Sequence, residues 1–78
     1  MPRLPRIEGS KLVKAMQKDG FFVARIEGSH YIMQKVFEDD ERVTVPVPVH
    51  RGKILKPRTL IGILRKARID RERLIELL

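Results

Sequence analysis

The chain has 78 residues, a formal net charge of +7 and no cysteine. This length suits one domain over residues 1–78, with too little buried surface for a deep, enclosed substrate cavity. The lack of cysteine excludes disulfides and cysteine-ligated zinc, and the two histidines stand twenty positions apart, which makes a metal site improbable. No signal peptide and no apolar run of about 20 residues is present. We therefore expect a cytoplasmic protein that needs neither metal nor cofactor.

The positive charge is concentrated in the last third of the chain. Residues 51–78 carry nine Lys or Arg against three Asp or Glu, a net charge of +6, whereas residues 1–50 carry eight against seven. A basic face of this kind neutralises phosphates and releases their counterions, which favours nucleic-acid binding. A solvated charged face and attachment to a membrane surface are the alternatives, although the apolar positions suit a core better than a bilayer.

The first predicted element is a short amphipathic helix that follows Gly9. Ser10 is the expected N-cap, because its hydroxyl can accept a backbone N–H of the first turn. Apolar residues then recur with helical spacing on one side of the segment. Asp19-Gly20 ends the helix, because glycine adopts the left-handed conformation that closes a helix C-terminus.

Two strands follow, joined by a short turn at Gly28-Ser29. The segment 21–26 is rich in aromatic and branched residues, and a second strand runs from about 30 to 37. In the second strand His30 and Ile32 face one way, while Tyr31 and Met33 face the other. The acidic residues 38–41 form the expected tip of the next hairpin.

A third strand and two helices complete the expected fold. Pro46 and Pro48 lack a donor N–H, so the third strand lies at a sheet edge or ends early. Pro57 opens the second helix, where its missing N–H costs nothing. Asp70 is the expected N-cap of a short final helix, whose leucines either dock a partner or, as we favour, pack under the sheet.

The predicted architecture is therefore α+β, in the order α-β-β-β-α with a short C-terminal helix. The sheet has three antiparallel strands, and the helices pack on one of its faces and leave the other accessible. Double-stranded RNA-binding domains (dsRBDs) have a similar arrangement.

His30 is the best candidate for a chemical centre. Imidazole has an unperturbed pKa of about 6.5, so it can take and give a proton near neutral pH. Gly28 leaves the backbone open to a ligand, and Ser29 adds a small hydroxyl. The alternative interpretation is an ordinary hairpin turn followed by a partly exposed strand histidine.

A ribonuclease site without metal needs a base, an acid and cations that stabilise the phosphate. His30 can serve as base or acid. His50 is either a substrate contact or a loop histidine that bonds backbone or water. The basic candidates for phosphate binding are Arg25, Lys35, Arg51 and Lys53 near the strands and loop, and Arg58, Arg65 and Lys66 on the second helix.

Several short motifs occur in a characteristic order along nearly the whole chain. They are Met1-Pro2-Arg3-Leu4-Pro5, Gly20-Phe21, Gly28-Ser29-His30, Val43-Thr44-Val45-Pro46, Val49-His50, Lys56-Pro57-Arg58-Thr59-Leu60 and Ile63-Leu64. With these motifs the chain resembles the HicA (YcfA-like) toxins of toxin–antitoxin pairs. The resemblance implies a dsRBD-like fold, cleavage of messenger RNA, His30 as the catalytic histidine and a HicB-type antitoxin as partner. Arg58 and Arg68 depart from the family, which often has glycine at both positions.

Three functions stay open at this stage. The first is a metal-independent endoribonuclease toxin whose His30 is covered by an antitoxin. The second is a module that binds double-stranded or structured RNA without cutting it. The third is an interaction protein that pairs with an antitoxin and has no effect on RNA by itself.

Overall fold

The computed structural model of the protein describes residues 3–78. The motif Met1 to Pro5 therefore lies partly outside the described residues. The elements are α1 (Gly9–Lys18), β1 (Phe22–Glu27), β2 (His30–Val36), β3 (Arg42–Pro48), α2 (Pro57–Ala67) and α3 (Arg71–Leu77). The α+β fold with the order α-β-β-β-α and a short C-terminal helix is confirmed.

The sheet is antiparallel, with the strand order β1-β2-β3. Met33 of the central strand is fully buried and Tyr31 packs against the same core, so these residues face the helices. Strand β3 lies at the edge, as its two prolines predicted. Between Val23 and Arg25 the β1–β2 register shifts, which leaves Ala24 as an extra residue in β1.

The opposite face of the sheet carries no helix, and His30 lies on it. Ile32 points to this face and is nevertheless only 5% exposed. Its position explains the burial, because Arg25 and Pro46 lie directly opposite it on the two flanking strands. Phe22, in contrast, is 48% exposed. We name this surface the open face.

The core lies between the sheet and helices α1 and α2. Both helices are amphipathic, and their apolar sides contact the inner sides of β2 and β3. The largest fully buried side chains come from the sheet and from all three helices: Leu12, Met16, Met33, Val45, Val47, Leu60 and Leu74.

The prediction of Ser10 as the N-cap of α1 is wrong. Glu8 is the N-cap, its backbone is extended, and no side chain caps the helix. The helix starts earlier because the preceding chain is fixed by pairing: Leu55 N–H donates to the Ile7 carbonyl at 2.9 Å, and Glu8 forms a bridge with Ile54. Ser10 is consequently the second residue of the helix.

The predicted end of α1 at Asp19-Gly20 is confirmed. Gly20 has a φ of +106°, and its N–H donates to the Gln17 carbonyl at 3.1 Å. Phe21 N–H donates to the Met16 carbonyl at 3.0 Å. These two bonds satisfy carbonyls that the last turn of the helix leaves without a partner.

Helix α2 begins at Pro57, as predicted, and ends at Ala67; its C-cap Arg68 has the left-handed conformation, with φ of 60°. An arginine adopts this conformation at a cost that glycine avoids. Several contacts hold it there: the Arg68 guanidinium lies 2.6 Å from the Glu41 carboxylate and 4.3 Å from the centroid of the Phe37 ring. The acidic hairpin tip is thereby tied to the end of α2.

Helix α3 begins at Asp70, whose carboxylate accepts the Arg73 N–H at 2.7 Å, so the predicted N-cap is confirmed. The helix packs against α1 rather than under the sheet, and Leu74 and Leu77 are buried there. The Arg73 side chain also donates to the Asp19 carboxylate at 3.1 Å. This hydrogen bond raises the pKa of Arg73 above its ordinary value.

Candidate functional site

The turn that carries His30 has two residues, Gly28 and Ser29. Glu27 and His30 lie directly opposite each other across the turn. Gly28 has a φ of +58°, and Ser29 has no positive φ, which is typical of a type II′ hairpin. The glycine is needed here because of its backbone conformation. His30 is exposed at the end of β2 and faces away from the helices.

The residues opposite His30 come from both neighbouring strands. Glu27 of β1 lies on one side and Pro48 of β3 on the other. The Glu27 carboxylate forms an ion pair with the Arg25 side chain, so Arg25 is held on the open face near the turn. Glu27 was not among the predicted site residues. The two-residue spacing of the turn was the signal that places it across from His30.

The segment after β3 is bonded to the same turn. Val49 N–H donates to the Ser29 carbonyl at 2.7 Å. His50 follows at once, and its carbonyl accepts the Lys53 N–H at 3.0 Å, which closes a turn over residues 50–53. The Glu8 carboxylate accepts the Gly52 N–H at 2.9 Å and fixes this turn to the start of α1.

Helix α1 touches the same end of the sheet through Gly9. A Cβ atom added to Gly9 would lie 3.0 Å from the Pro48 carbonyl carbon and 3.1 Å from the Val49 Cα, and closer still to the Pro48 carbonyl oxygen. Only glycine permits so close an approach. The hairpin turn, the 50–53 turn and the start of α1 therefore converge at one end of the sheet, which we name the site end.

Two grooves with basic linings lie at the site end. The first, of about 320 Å³, is lined by Pro48, His50, Lys53, Lys56 and Thr59, together with apolar atoms of neighbouring residues. We name it the His50 groove. Two of its lining residues, His50 and Lys53, were predicted site residues, whereas Lys56 was not.

The second groove, of about 470 Å³, runs along the beginning of α1 and contains Arg6, Lys11 and Lys14. The sequence placed Lys11 and Lys14 on the polar side of the helix and assigned Arg6 no role in a site. The signal was the spacing of Lys11 and Lys14, which places them on one face. The N-cap Glu8 is an acidic residue of the same lining, and its carboxylate accepts the Gly52 N–H.

The predicted basic residues separate into two groups. Arg51 and Lys53 lie in the 50–53 turn, and Arg58 lies in the first turn of α2, just after Lys56. These three side chains are exposed at or near the site end. Arg25 lies on the open face, directly opposite Ile32.

Three other predicted phosphate contacts lie elsewhere. Arg65 and Lys66 occupy the last turn of α2, about 10 Å along the helix axis from Arg58. The Lys35 ammonium donates to the Asp19 carbonyl at 2.6 Å and to its carboxylate at 3.2 Å. This ammonium also lies 4.8 Å from the centroid of the Phe37 ring. The contacts of Lys35 stabilise the fold on the helix-bearing side of the sheet.

Two further features bear on the chemistry of the site. Within residues 3–78, no three His, Asp or Glu side chains lie close enough together to hold a metal ion. Over the same residues, no helix has both the length and the apolar character that a membrane crossing requires. The side chains at the site end are two exposed imidazoles, the carboxylates of Glu8 and Glu27, and several cations.

The fold and the site define a class of protein: a small α+β domain with an exposed histidine beside basic grooves. Comparison with known families makes this more specific. Residues 9–69 match the profile of the family described as HicA toxin of bacterial toxin–antitoxin systems. Comparison with curated protein sequences finds no match. Because the family profile covers most of the chain, the protein belongs to the HicA toxin family.

Proposed function

We propose that this HicA-family toxin is a metal-independent endoribonuclease that cleaves messenger RNA in the cytoplasm, with His30 as general base or general acid. The observation that carries the proposal is the placement of His30. It is exposed on the open face, at the end of the sheet that also carries the basic 50–53 turn, and it lies opposite Pro48, which lines the His50 groove.

The shape of the surface suits a long substrate rather than a small one. Both basic grooves are shallow features of a 78-residue domain, and they open on the same end of the sheet. A single RNA strand can lie across them with its phosphates near Lys53 and Lys56 and its sugar near His30. A structured RNA can present the same atoms from a loop or a groove.

The proposed chemistry uses the 2′-hydroxyl of the RNA as the nucleophile. A general base removes its proton, the oxygen attacks the adjacent phosphorus, and the 5′ oxygen of the next nucleotide leaves. Cations stabilise the crowded phosphate, and the nearest exposed ones by position are Arg51, Lys53 and Arg25. No step requires a metal or a cofactor.

We assign phosphate binding to the exposed cations in order of their distance from the site end. Arg51, Lys53 and Arg58 come first, and Arg65 and Lys66 extend the path along α2. Each phosphate that is neutralised on duplex RNA or DNA contributes about −0.9 to the slope of log affinity against log salt. Replacing Arg65 and Lys66 by alanine should therefore weaken RNA binding and flatten this slope without changing where the RNA is cut.

A HicB-type antitoxin is the proposed partner that neutralises the toxin. A protein that covers the site end would block His30 and both grooves together. Its surface there should be acidic, because the chain carries a net charge of +7 and its last third holds most of it. Co-expression with such a protein should restore the growth of cells that produce this chain.

The experiment that tests the enzymatic function is incubation of the purified protein with a long messenger RNA in excess chelator. Wild type should give discrete products, and His30→Ala should form them about 10²–10⁴-fold more slowly while its circular dichroism spectrum stays unchanged. Glu38→Ala is the matched control, because Glu38 is exposed at the far end of the sheet. Products that form only after divalent metal is added would refute the metal-independent mechanism.

The same experiment separates the enzyme from its nearest alternative. If wild type binds the RNA and leaves it intact, the protein is a non-catalytic RNA-binding module, and His30 is at most a phosphate ligand. Absence of both cleavage and binding, together with a tight complex with an antitoxin, would identify an interaction protein.

A further inference from the structure

We propose that His50 is a second catalytic residue, which transfers the other proton of the cleavage reaction on the opposite side of the phosphate from His30. This inference rests on the proposed ribonuclease function and adds to it. A single imidazole can serve only one of the two oxygen atoms that change protonation in a given step. The sequence left His50 as a substrate contact or an ordinary loop histidine.

The two histidines are brought together at Pro48. His30 lies directly opposite Pro48, and His50 follows Pro48 by two residues. Residues opposite each other in an antiparallel pair have Cα atoms about 4.5–5.5 Å apart, and two further residues add at most about 7 Å. The Cα atoms of the two histidines are therefore no more than about 12 Å apart. Two imidazoles at this spacing can reach opposite sides of one phosphate.

The backbone around His50 is fixed rather than free. Val49 N–H donates to the Ser29 carbonyl at 2.7 Å, so the residues just before both histidines are bonded to each other. After His50, Lys53 N–H donates to the His50 carbonyl, and Gly52 is held by the Glu8 carboxylate. These bonds restrict where the His50 side chain can lie relative to His30.

The surroundings of the His50 side chain suit a phosphodiester. It is exposed and lines the His50 groove together with Lys53, Lys56 and Thr59. Two ammonium groups and a hydroxyl can bind the non-bridging phosphate oxygens. Pro48 lines the same groove and lies directly opposite His30, so His30 is a neighbour of the groove that His50 lines.

Glu27 is the other titratable residue beside His30, and it is less suited to the role. It lies directly opposite His30 on the β1 side, but its carboxylate forms an ion pair with Arg25. The Arg25 side chain therefore already occupies this carboxylate. Glu27→Gln should therefore slow cleavage only through the positions of Arg25 and His30.

The proposed reaction is balanced with the two histidines alone. One imidazole takes the proton of the 2′-hydroxyl as that oxygen forms a bond to phosphorus. The bond from phosphorus to the 5′ oxygen breaks, and the other imidazole, in its protonated form, gives that oxygen its proton. The products are a 2′,3′-cyclic phosphate and a free 5′-hydroxyl. Each proton transfer contributes about 10²–10⁴-fold to the rate.

The test compares wild type, His30→Ala, His50→Ala and Lys53→Ala over a range of pH, with messenger RNA in chelator. Wild type should show a bell-shaped profile, because one histidine must be neutral and the other protonated. Each histidine variant should cleave about 10²–10⁴-fold more slowly and lose a different limb of the bell. Lys53→Ala should lower the rate at every pH and keep both limbs. Circular dichroism confirms folding throughout.

A second substrate assigns the roles. Uridine 3′-(p-nitrophenyl phosphate) has a leaving group that departs without a proton, so it removes the need for the general acid. The variant that lacks the acid should cleave it at nearly the wild-type rate, and the variant that lacks the base should not.

The outcomes distinguish this inference from the proposed function. Two results would refute the role of His50 and leave the ribonuclease proposal in place. In the first, His30→Ala is inactive while His50→Ala keeps both limbs of the pH profile. In the second, neither variant regains activity on the nitrophenyl ester. If wild type leaves messenger RNA intact, both proposals are refuted.

Discussion

Gly9→Ala is the substitution that most directly tests how the site end is built. The added Cβ would lie 3.0 Å from the Pro48 carbonyl carbon and 3.1 Å from the Val49 Cα. Ordinary carbon contacts are about 3.5–4.0 Å, so α1 must retreat by about half an ångström or more. The obstructing atoms belong to the backbone of β3 and its extension, which cannot rotate away.

The magnitude follows from the cost of overpacking, which is about 1–3 kcal/mol in a well-packed interior. For a domain of this size, each 1 kcal/mol lowers the melting temperature by about 4–8 °C. We therefore expect Gly9→Ala to unfold at a lower urea concentration and to melt at least about 4 °C below wild type. Cleavage should also fall, since Pro48 lies between the two histidines.

Gly62→Ala is the matched control. Gly62 lies inside α2, and nothing lies within 4 Å of its added Cβ. This substitution should stabilise the protein by about 0.5–1 kcal/mol, because alanine loses less conformational entropy in a helix. Urea denaturation followed by circular dichroism measures both variants. If Gly9→Ala is as stable as wild type while Gly62→Ala behaves as expected, the close approach of α1 to Pro48 is not tight.

Three further substitutions test the contacts that hold the helices. Asp70→Ala should destabilise the protein by about 1 kcal/mol, because α3 loses its N-cap hydrogen bond. Asp70→Asn keeps an acceptor at this position, so it should retain most of the wild-type stability in the same urea titration. Asp19→Ala removes the shared partner of Lys35 and Arg73. If these interactions are mainly ionic, Asp19→Ala should lower the free energy of unfolding less in 1 M salt than at low salt. A decrease that is the same at both salt concentrations would contradict an ionic interaction. In thermal melts, Arg68→Gly should be more stable than Arg68→Ala by about 1 kcal/mol. Both variants lose the ion pairs of Arg68, but only glycine removes the strain of the left-handed backbone. Equal stability of the two variants would show that this strain is negligible.

The secondary structure was largely predictable because its signals are local. The spacing of apolar residues gave α1 and α2, the Asp19-Gly20 pair gave the end of α1, and Asp70 gave the start of α3. The prolines of β3 predicted an edge strand, because a residue without an N–H cannot donate to a central ladder. Each of these features depends on a few neighbouring residues.

The predictions that failed concern residues whose surroundings come from distant parts of the chain. Ser10 looked like an N-cap, but pairing of Ile7 and Glu8 with residues 54–55 starts the helix at Gly9. The leucines of α3 were expected under the sheet, but they pack against α1. In both cases a tertiary contact decided between arrangements that the local sequence permits equally.

The sequence by itself determined the kinds of group available: two histidines, a flexible glycine turn, an excess of cations and no cysteine. The antiparallel register then decided which of them meet. It places Glu27 and Pro48 on either side of His30, and through Pro48 it brings His50 near, whereas Lys35, five residues further along β2, is bonded to Asp19 on the helix-bearing side. The physical reason is that the sequence sets the chemical groups that are available, whereas strand pairing and helix packing set which of these groups become neighbours.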